Sequence, residues 1–170
     1  VLELAHGPGH LLVAMTRAGF APVGLDLSPQ MGRLARARWE RERVARPSPS
    51  PGGRERAPLV RARAQALPFR AGSFDSVVST FPTGFIVAPA TLKEIARVLK
   101  PEGRAVVVPG IKFGPSFAAR LLEWLYTATG QQESAPPGLA DALAEAGLIL
   151  ENDRELMGLV EVLIRVAHKN

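Results

Sequence analysis

The stretch that decides the fold begins Val1-Leu2-Glu3-Leu4-Ala5-His6-Gly7-Pro8-Gly9-His10 and ends at Asp26. A short apolar run gives way to a turn that contains two glycines. Apolar residues then recur at helical spacing from Leu11 to Gly19, a residue type that commonly ends a helix. A second apolar run closes on Asp26. The pattern predicts a strand, a glycine turn, a helix and a second strand.

Two features of this unit indicate a nucleoside site. Glycines let backbone amides approach a ligand closely, and the N-terminus of the following helix attracts negative groups. Asp26 stands 19 residues after Gly7, near the spacing at which a carboxylate accepts hydrogen bonds from ribose hydroxyls. A tight strand-to-helix turn that binds no ligand is the alternative at this point.

An NAD-dependent reductase is the competing nucleoside hypothesis. A dinucleotide-binding turn requires a third small residue, whereas this sequence has Leu12 at that position. It also expects an apolar residue where this sequence has Glu3. A glutamate buried in a strand needs a partner, and the ammonium group of a methionine-like ligand would be one. These two residues disfavour the reductase.

Further segments, taken in order, resemble class I S-adenosylmethionine-dependent methyltransferases. The similarity is to the methyltransferase type 11 subgroup, which contains the ubiquinone and menaquinone biosynthesis methyltransferases. The opening stretch is similar to the first motif of the family. The other similar segments are the second motif at Gly24–Met31, the adenine-side segment at Ala64–Phe69, the fourth-strand motif at Phe74–Phe81, and the helix and turn before strand five at Leu92–Arg104.

The expected fold class is α/β. Short connections between alternating strand and helix patterns favour a doubly wound, mostly parallel sheet. The turn between the last two strand patterns, Leu148–Asp153 and Leu159–His168, is too short for a parallel crossover, so the two strands should pair antiparallel. The resemblance implies a seven-stranded Rossmann-like sheet whose last strand is antiparallel.

We expect one methyltransferase domain over residues 1–170. Residues 1–110 would be its cofactor-binding half, and residues 111–170 would hold substrate-side helices and the antiparallel strand pair. Because the chain begins inside the first strand, the N-terminal helix of the family is expected to be missing. The other predicted elements are a helix from Pro29 to about Val44, a flexible loop at 46–57, strands at Leu59–Arg63, Phe74–Thr80 and Arg104–Pro109, and helices at 116–129 and Pro137–Ala146.

The resemblance implies an S-adenosylmethionine site at the carboxyl ends of the parallel strands. In-line transfer from a sulfonium depends more on alignment than on acid or base groups, so no catalytic residue is assigned. The substrate-side residues would be Thr80, Phe81 and Phe85. The cofactor-binding residues would be Glu3, Ala5, His6, Gly7 and Gly9 along the methionine portion, Asp26 at the ribose, Leu27, Ala64 and Gln65 at the adenine, and Ser79 at the methionine end.

Two residues depart from the family pattern. Ala5 stands where glycine is usual, and Arg63 stands near the usual position of an aspartate. They leave open a catalytically degenerate methyltransferase-fold binding module as the alternative function. His6 is either a site residue or a loop residue that faces solvent. The three histidines are scattered and there is no cysteine, so no metal-ligand spacing is present.

Charge and composition bound the partners. The net charge of +5 is local, because residues 33–63 hold ten arginines and three glutamates while the remainder carries −2. A solvated helix face with a linker explains this better than nucleic-acid binding, and peripheral contact with an anionic membrane is the next alternative. The absence of cysteine fits a cytoplasmic enzyme. Aromatic residues after strands four and five fit a small, apolar methyl acceptor, and for those in the predicted helix at 116–129 the alternative is a stripe buried against the core.

Overall fold

A computed structural model describes residues 1–42, 57–113, 139–157 and 160–169. Strands and helices alternate through most of this part of the chain. A 3₁₀ turn at Gly84–Val87 follows the fourth strand. The elements are β1 (Leu2–Leu4), α1 (His10–Arg17), β2 (Val23–Asp26), α2 (Pro29–Arg41), β3 (Leu59–Arg61), β4 (Phe74–Thr80), α3 (Pro89–Val98), β5 (Leu99–Phe113), α4 (Leu139–Glu145), β6 (Leu148–Met157) and β7 (Val160–Lys169).

The strands form one seven-stranded sheet in the order β3-β2-β1-β4-β5-β7-β6. Neighbouring strands are parallel from β3 across to β5, and β7 runs antiparallel to both β5 and β6. The predicted doubly wound α/β fold with an antiparallel last strand is therefore confirmed. Because the strand order reverses at β1, the carboxyl ends of β1 and β4 flank the crevice where open sheets bind ligands.

The core divides between the two faces of the sheet. Leu59 packs in a cluster with Leu12 and Trp39 from α1 and α2, whereas Val60 packs in a larger cluster with Ile95 of α3. Successive strand residues point to opposite faces. The helices α1 and α2 therefore cover one face, and α3 covers the other.

The start of α2 shows why the sequence forms a helix directly after Asp26. The Ser28 hydroxyl accepts a hydrogen bond from the Met31 amide at 3.3 Å, and Pro29 takes the first helical position. Both are favourable at helix starts because the first amides lack partners within the helix. The Ser28 amide also donates to the Asp26 carboxylate, which ties the beginning of α2 to the end of β2.

Strand five differs from its prediction. It was expected at Arg104–Pro109, but β5 runs from Leu99 to Phe113. At its beginning, Leu99 already pairs with Phe74, and a bulge at Lys100–Gly103 precedes the regular register. At its other end, pairing with β7 continues to Phe113. The strand length is thus set by two partners that a local pattern does not reveal.

The other boundaries agree with the sequence to within a few residues. Strand four, Phe74–Thr80, lies where it was predicted, β3 stops at Arg61, and α2 ends at Arg41. The predicted helix at 116–129 and nearly all of the predicted loop at 46–57 lie outside the described residues. None of the helices within the described residues is long and apolar enough to cross a membrane.

Candidate active site

The turn after β1 is a chain of left-handed residues. Ala5, Gly7 and Gly9 have φ angles of 55°, 51° and 79°. Alanine in this region costs about 1 kcal/mol or more, because its Cβ approaches the following carbonyl. The Gly9 amide donates to the His6 carbonyl at 3.0 Å, and Arg38 Nε of α2 donates to the Pro8 carbonyl at 3.0 Å. The turn is therefore held from within and from α2.

Asp26 lies directly against this turn. Its Oδ2 accepts a hydrogen bond from the Gly7 amide at 3.0 Å, and its Oδ1 accepts one from the Ser28 amide at 2.8 Å. The side chain is only partly buried. Each carboxylate oxygen has a second lone pair, so both oxygens keep the capacity to accept a further hydrogen bond from a ligand hydroxyl.

Glu3 is a carboxyl buried within the sheet. It is 2% exposed, and its Oε2 makes no hydrogen bond to any of the described residues. Burial, with a smaller contribution from the Asp26 carboxylate, raises the pKa of Glu3 from 4.5 to about 8. A buried oxygen without a partner loses its hydration and gains nothing in return. An arriving cation would supply the missing interaction.

His6 does not face solvent, so that alternative for this residue is wrong. It is 4% exposed, and its Nδ1 donates to the Gly7 carbonyl at 2.7 Å when that nitrogen carries the proton. The ring packs over Gly24 of β2, where an added Cβ would lie 3.0 Å from His6 Cδ2. The imidazole thus fills the gap between the turn and a glycine of the neighbouring strand.

The end of β4 completes the crevice. Ser79 is 1% exposed, and its hydroxyl donates to the Leu4 carbonyl at 2.9 Å, which ties β4 to β1. Thr80 is half-buried. Phe81 follows with φ 50° and a 53% exposed side chain, and its amide donates to the Val108 carbonyl at 2.8 Å. A strained, exposed aromatic residue at a strand end is typical of ligand sites.

The predicted adenine side lies beyond β3. Ala64 is buried, Gln65 is exposed, and the Ala66 amide donates to the Arg63 carbonyl at 3.1 Å in a turn. Leu27, after Asp26, is 51% exposed, so its side chain is open to a flat ligand. The structure therefore leaves Gln65 and Leu27 accessible, as an adenine subsite requires.

A cleft of about 370 Å³ is lined by Asp26 and by His6 of the glycine turn. Arg33 and Arg36 of α2 line it together with Arg61, whose Nε donates to the Leu27 carbonyl at 3.1 Å. None of the predicted adenine-side residues lines this cleft. Its three arginines make the cleft electropositive, in keeping with the local charge surplus found in the sequence.

The structure thus brings most of the predicted site residues to one edge of the sheet. The residues of the glycine turn follow β1, Asp26 ends β2, and Phe81 follows β4. Phe85 is different, because it lies in the 3₁₀ turn, partly buried against the main core. The sequence analysis did not identify Arg38, because no motif in the sequence indicates its hydrogen bond to the Pro8 carbonyl.

The site fits S-adenosylmethionine. The buried Glu3 carboxyl, whose Oε2 has no partner among the described residues, suits its ammonium group, and Asp26 beside the glycine turn suits its ribose hydroxyls. Residues 2–107 match the family described as "Methyltransferase domain". The chain belongs to this family. The prediction of a methyltransferase domain is therefore confirmed.

The similar proteins include two that are named as methyltransferases. The chain is 35% identical over 112 residues to the ubiquinone/menaquinone biosynthesis C-methyltransferase of Geotalea uraniireducens, a match that covers 64% of this chain and 44% of the relative. It is 35% identical over 108 residues to the demethylmenaquinone methyltransferase of Clavibacter sepedonicus, covering 63% and 39%. The match thus spans less than half the length of these relatives.

A solved structure shows the same fold. A putative methyltransferase from Bacillus halodurans superposes with a TM-score of 0.68 at 18% identity, covering 99% of this chain and 91% of that one. At such low identity the likeness concerns the fold.

Proposed function

We propose that the protein transfers a methyl group from S-adenosylmethionine to a small, apolar acceptor. One observation carries the proposal: the carboxylate of Asp26 and the amide of Gly7 lie 3.0 Å apart. This contact joins the acid after β2 to the glycine turn after β1. A ribose and a methionine chain that belong to one ligand need these two groups side by side.

The roles of the residues follow from their places around the crevice. Glu3 would bind the ammonium group, and the amides of the glycine turn would line the methionine portion. Asp26 would accept from the ribose hydroxyls, while Leu27, Ala64 and Gln65 would contact the adenine. When bound, the cofactor supplies a methyl group on a sulfonium, and alignment alone is worth up to about 7–11 kcal/mol of the barrier.

Ser79 and Thr80 would have different tasks. The Ser79 hydroxyl donates its hydrogen bond to the Leu4 carbonyl, so we propose that Ser79 supports the end of β1 and does not contact the ligand. Thr80 and Phe81 would face the acceptor. Phe85 would support that side from the core, because it packs against the main core cluster.

The acceptor class is proposed from the aromatic side chain at the crevice and from the relatives. Phe81 offers an exposed ring on which a flat apolar molecule can stack. The names of the relatives point to a demethylated quinone ring.

Three further predictions from the sequence stay predictions. They are the division into a cofactor half and a substrate half, cytoplasmic localisation and peripheral membrane contact.

Binding of S-adenosylhomocysteine, measured by calorimetry, tests the proposal. Asp26→Ala should weaken binding roughly 100-fold, because two hydrogen bonds to a charged group are lost. Asp75→Ala is the matched control, since Asp75 lies at the opposite end of β4 and pairs with Lys100 in the open. No heat from the wild-type protein, or equal losses in both variants, would refute the proposed site.

A catalytically degenerate binding module is the second candidate, and the backbone of Ala5 favours it. Ala5 places a methyl group in a left-handed turn that the ligand must approach. Transfer of radiolabelled methyl groups to reduced demethylnaphthoquinones separates the two functions. Cofactor binding without transfer to any acceptor in a broad panel would favour the module.

A further inference from the structure

The segment between β3 and β4 is held by side chains of α3. Residues 62–73 contain no helix or strand, so their backbone polar groups need partners elsewhere. Glu94 Oε2 accepts a hydrogen bond from the Leu67 amide at 2.6 Å. Arg97 donates to the Phe69 carbonyl at 2.8 Å and to the Leu67 carbonyl at 3.0 Å. Two side chains thus bind three backbone polar groups of the segment, two of Leu67 and one of Phe69.

Glu94 and Arg97 also bind each other. Arg97 Nε lies 2.6 Å from Glu94 Oε1, and a terminal nitrogen of Arg97 lies 2.8 Å from Glu94 Oε2. This forked pairing fixes both side chains at once. The hydrogen bond from Arg97 holds the pKa of the Glu94 carboxyl below its ordinary value, so Glu94 stays ionised at neutral pH.

Apolar contacts fix the same segment as well. Leu67 is 5% exposed in the main core, and the rings of Phe69 and Phe74 meet edge to face at 5.0 Å. The Gly72 amide donates to the Arg97 carbonyl at 3.0 Å, which closes the segment onto the end of α3. The path of the backbone from Leu67 to Gly72 is therefore set by α3 and the core.

We propose that Glu94 and Arg97 are positioning residues for the adenine subsite, acting through the backbone that leads from Leu67 back to Ala64. This inference rests on the proposed function, in which Ala64 and Gln65 contact the adenine edge. Neither Glu94 nor Arg97 touches the ligand. Their role is to keep the Ala64 amide where it can donate to a ring nitrogen of adenine.

The physical reason is that the strength of this hydrogen bond depends steeply on its geometry. A hydrogen bond weakens sharply when its angle or distance departs from the optimum, and binding groups must be held to within about 0.5 Å. Ala64 and Gln65 lie in an irregular turn without a strand to fix them. The pair of charged residues on α3 supplies the rigidity that a strand would otherwise give.

Base discrimination is the readout that separates positioning from general stability. Adenine offers an acceptor at ring position one, whereas hypoxanthine carries a proton there. A well-placed backbone donor therefore gives S-adenosylhomocysteine a higher affinity than S-inosylhomocysteine. A loosened segment loses this preference, while a merely less stable protein keeps it in the molecules that remain folded.

The experiment measures the dissociation constants of both ligands by calorimetry on the whole chain. The variants are Arg97→Met, Arg97→Lys and Glu94→Gln, and Lys100→Met is the matched control because it breaks an exposed ion pair that does not touch residues 64–69. Arg97→Met should weaken S-adenosylhomocysteine about tenfold and lower the adenine-over-hypoxanthine ratio about threefold or more. Lys100→Met should change neither.

The outcomes are distinct. Unchanged affinity and an unchanged ratio in the folded Arg97 and Glu94 variants would overturn the positioning role. Should Arg97→Met fail to fold, Arg97→Lys and Glu94→Gln test the positioning role instead, since both nearly keep the volume of the side chain. Absence of S-adenosylhomocysteine binding in the wild-type protein would instead refute the proposed function on which the inference rests.

Discussion

Glu3 shows how a single buried residue can indicate the charge of the ligand that a site binds. Most buried polar atoms find partners, and a carboxyl that does not is costly. Because Glu3 stands within an apolar strand, the sequence predicted that its side chain needs a partner. The structure adds that Oε2 has none among the described residues and that burial raises the pKa of Glu3 to about 8.

Glu3→Gln should therefore weaken the binding of the ammonium end of the ligand and leave the binding of its adenosine end unchanged. We expect S-adenosylhomocysteine to bind about 10- to 100-fold more weakly, because its ammonium group loses a charged partner. Methylthioadenosine, which has no ammonium group, should bind as it does to the wild-type protein. Calorimetry with both ligands is the measurement, and Glu40→Gln on the exposed side of α2 is the control. Equal losses for both ligands would contradict this role.

At the scale of elements, the glycine turn is fitted between α1 and α2. Gly9 caps α1 in the left-handed region, and an added Cβ would lie 2.9 Å from the Ala35 Cβ of α2. Gly9→Ala should thus destabilise the protein by about 2–4 kcal/mol, through backbone strain and overpacking together. Urea denaturation measures the loss.

Two further variants separate these causes. Gly19 has φ 87° and open space around the position of an added Cβ, so Gly19→Ala should show only the strain, about 1 kcal/mol. Ala35→Gly in the Gly9→Ala background removes the clash, and we expect it to restore part of the loss. If Gly9→Ala and Gly19→Ala cost the same, the packing of the turn on α2 is unimportant.

The sequence predicted those elements whose signals are local. Phe74–Thr80 was predicted to the residue because an apolar run between turn residues marks a buried parallel strand. The contact of Asp26 with the turn followed from spacing. In contrast, the length of β5 depends on pairing with β7, and Arg97 reaches carbonyls 28 and 30 residues away. Such contacts leave no periodicity in the chain.

For the whole molecule, two carboxyls act on stability in opposite directions. The pKa of Glu3 is raised from 4.5 to about 8, so between these values the folded protein holds a proton that the unfolded chain has released. Stability therefore falls as pH rises through this range. The pKa of Glu94 is lowered, so its contribution is present above 4.5 and is lost as pH falls below that value.

The cofactor-free protein should accordingly be most stable near the ordinary glutamate pKa of 4.5 and far below its isoelectric point of about 10.4. Urea denaturation from pH 3 to pH 9 is the measurement. Glu3→Gln should abolish the fall above the maximum, on the order of 4 kcal/mol by pH 8, and Glu94→Gln should flatten the fall below it. Binding of S-adenosylhomocysteine pairs the ionised Glu3 with an ammonium group, so saturation with it should move the maximum toward neutral pH. A profile that Glu3→Gln leaves unchanged would show that this carboxyl is already ionised in the folded protein, and the linkage between its proton and the cofactor would be refuted.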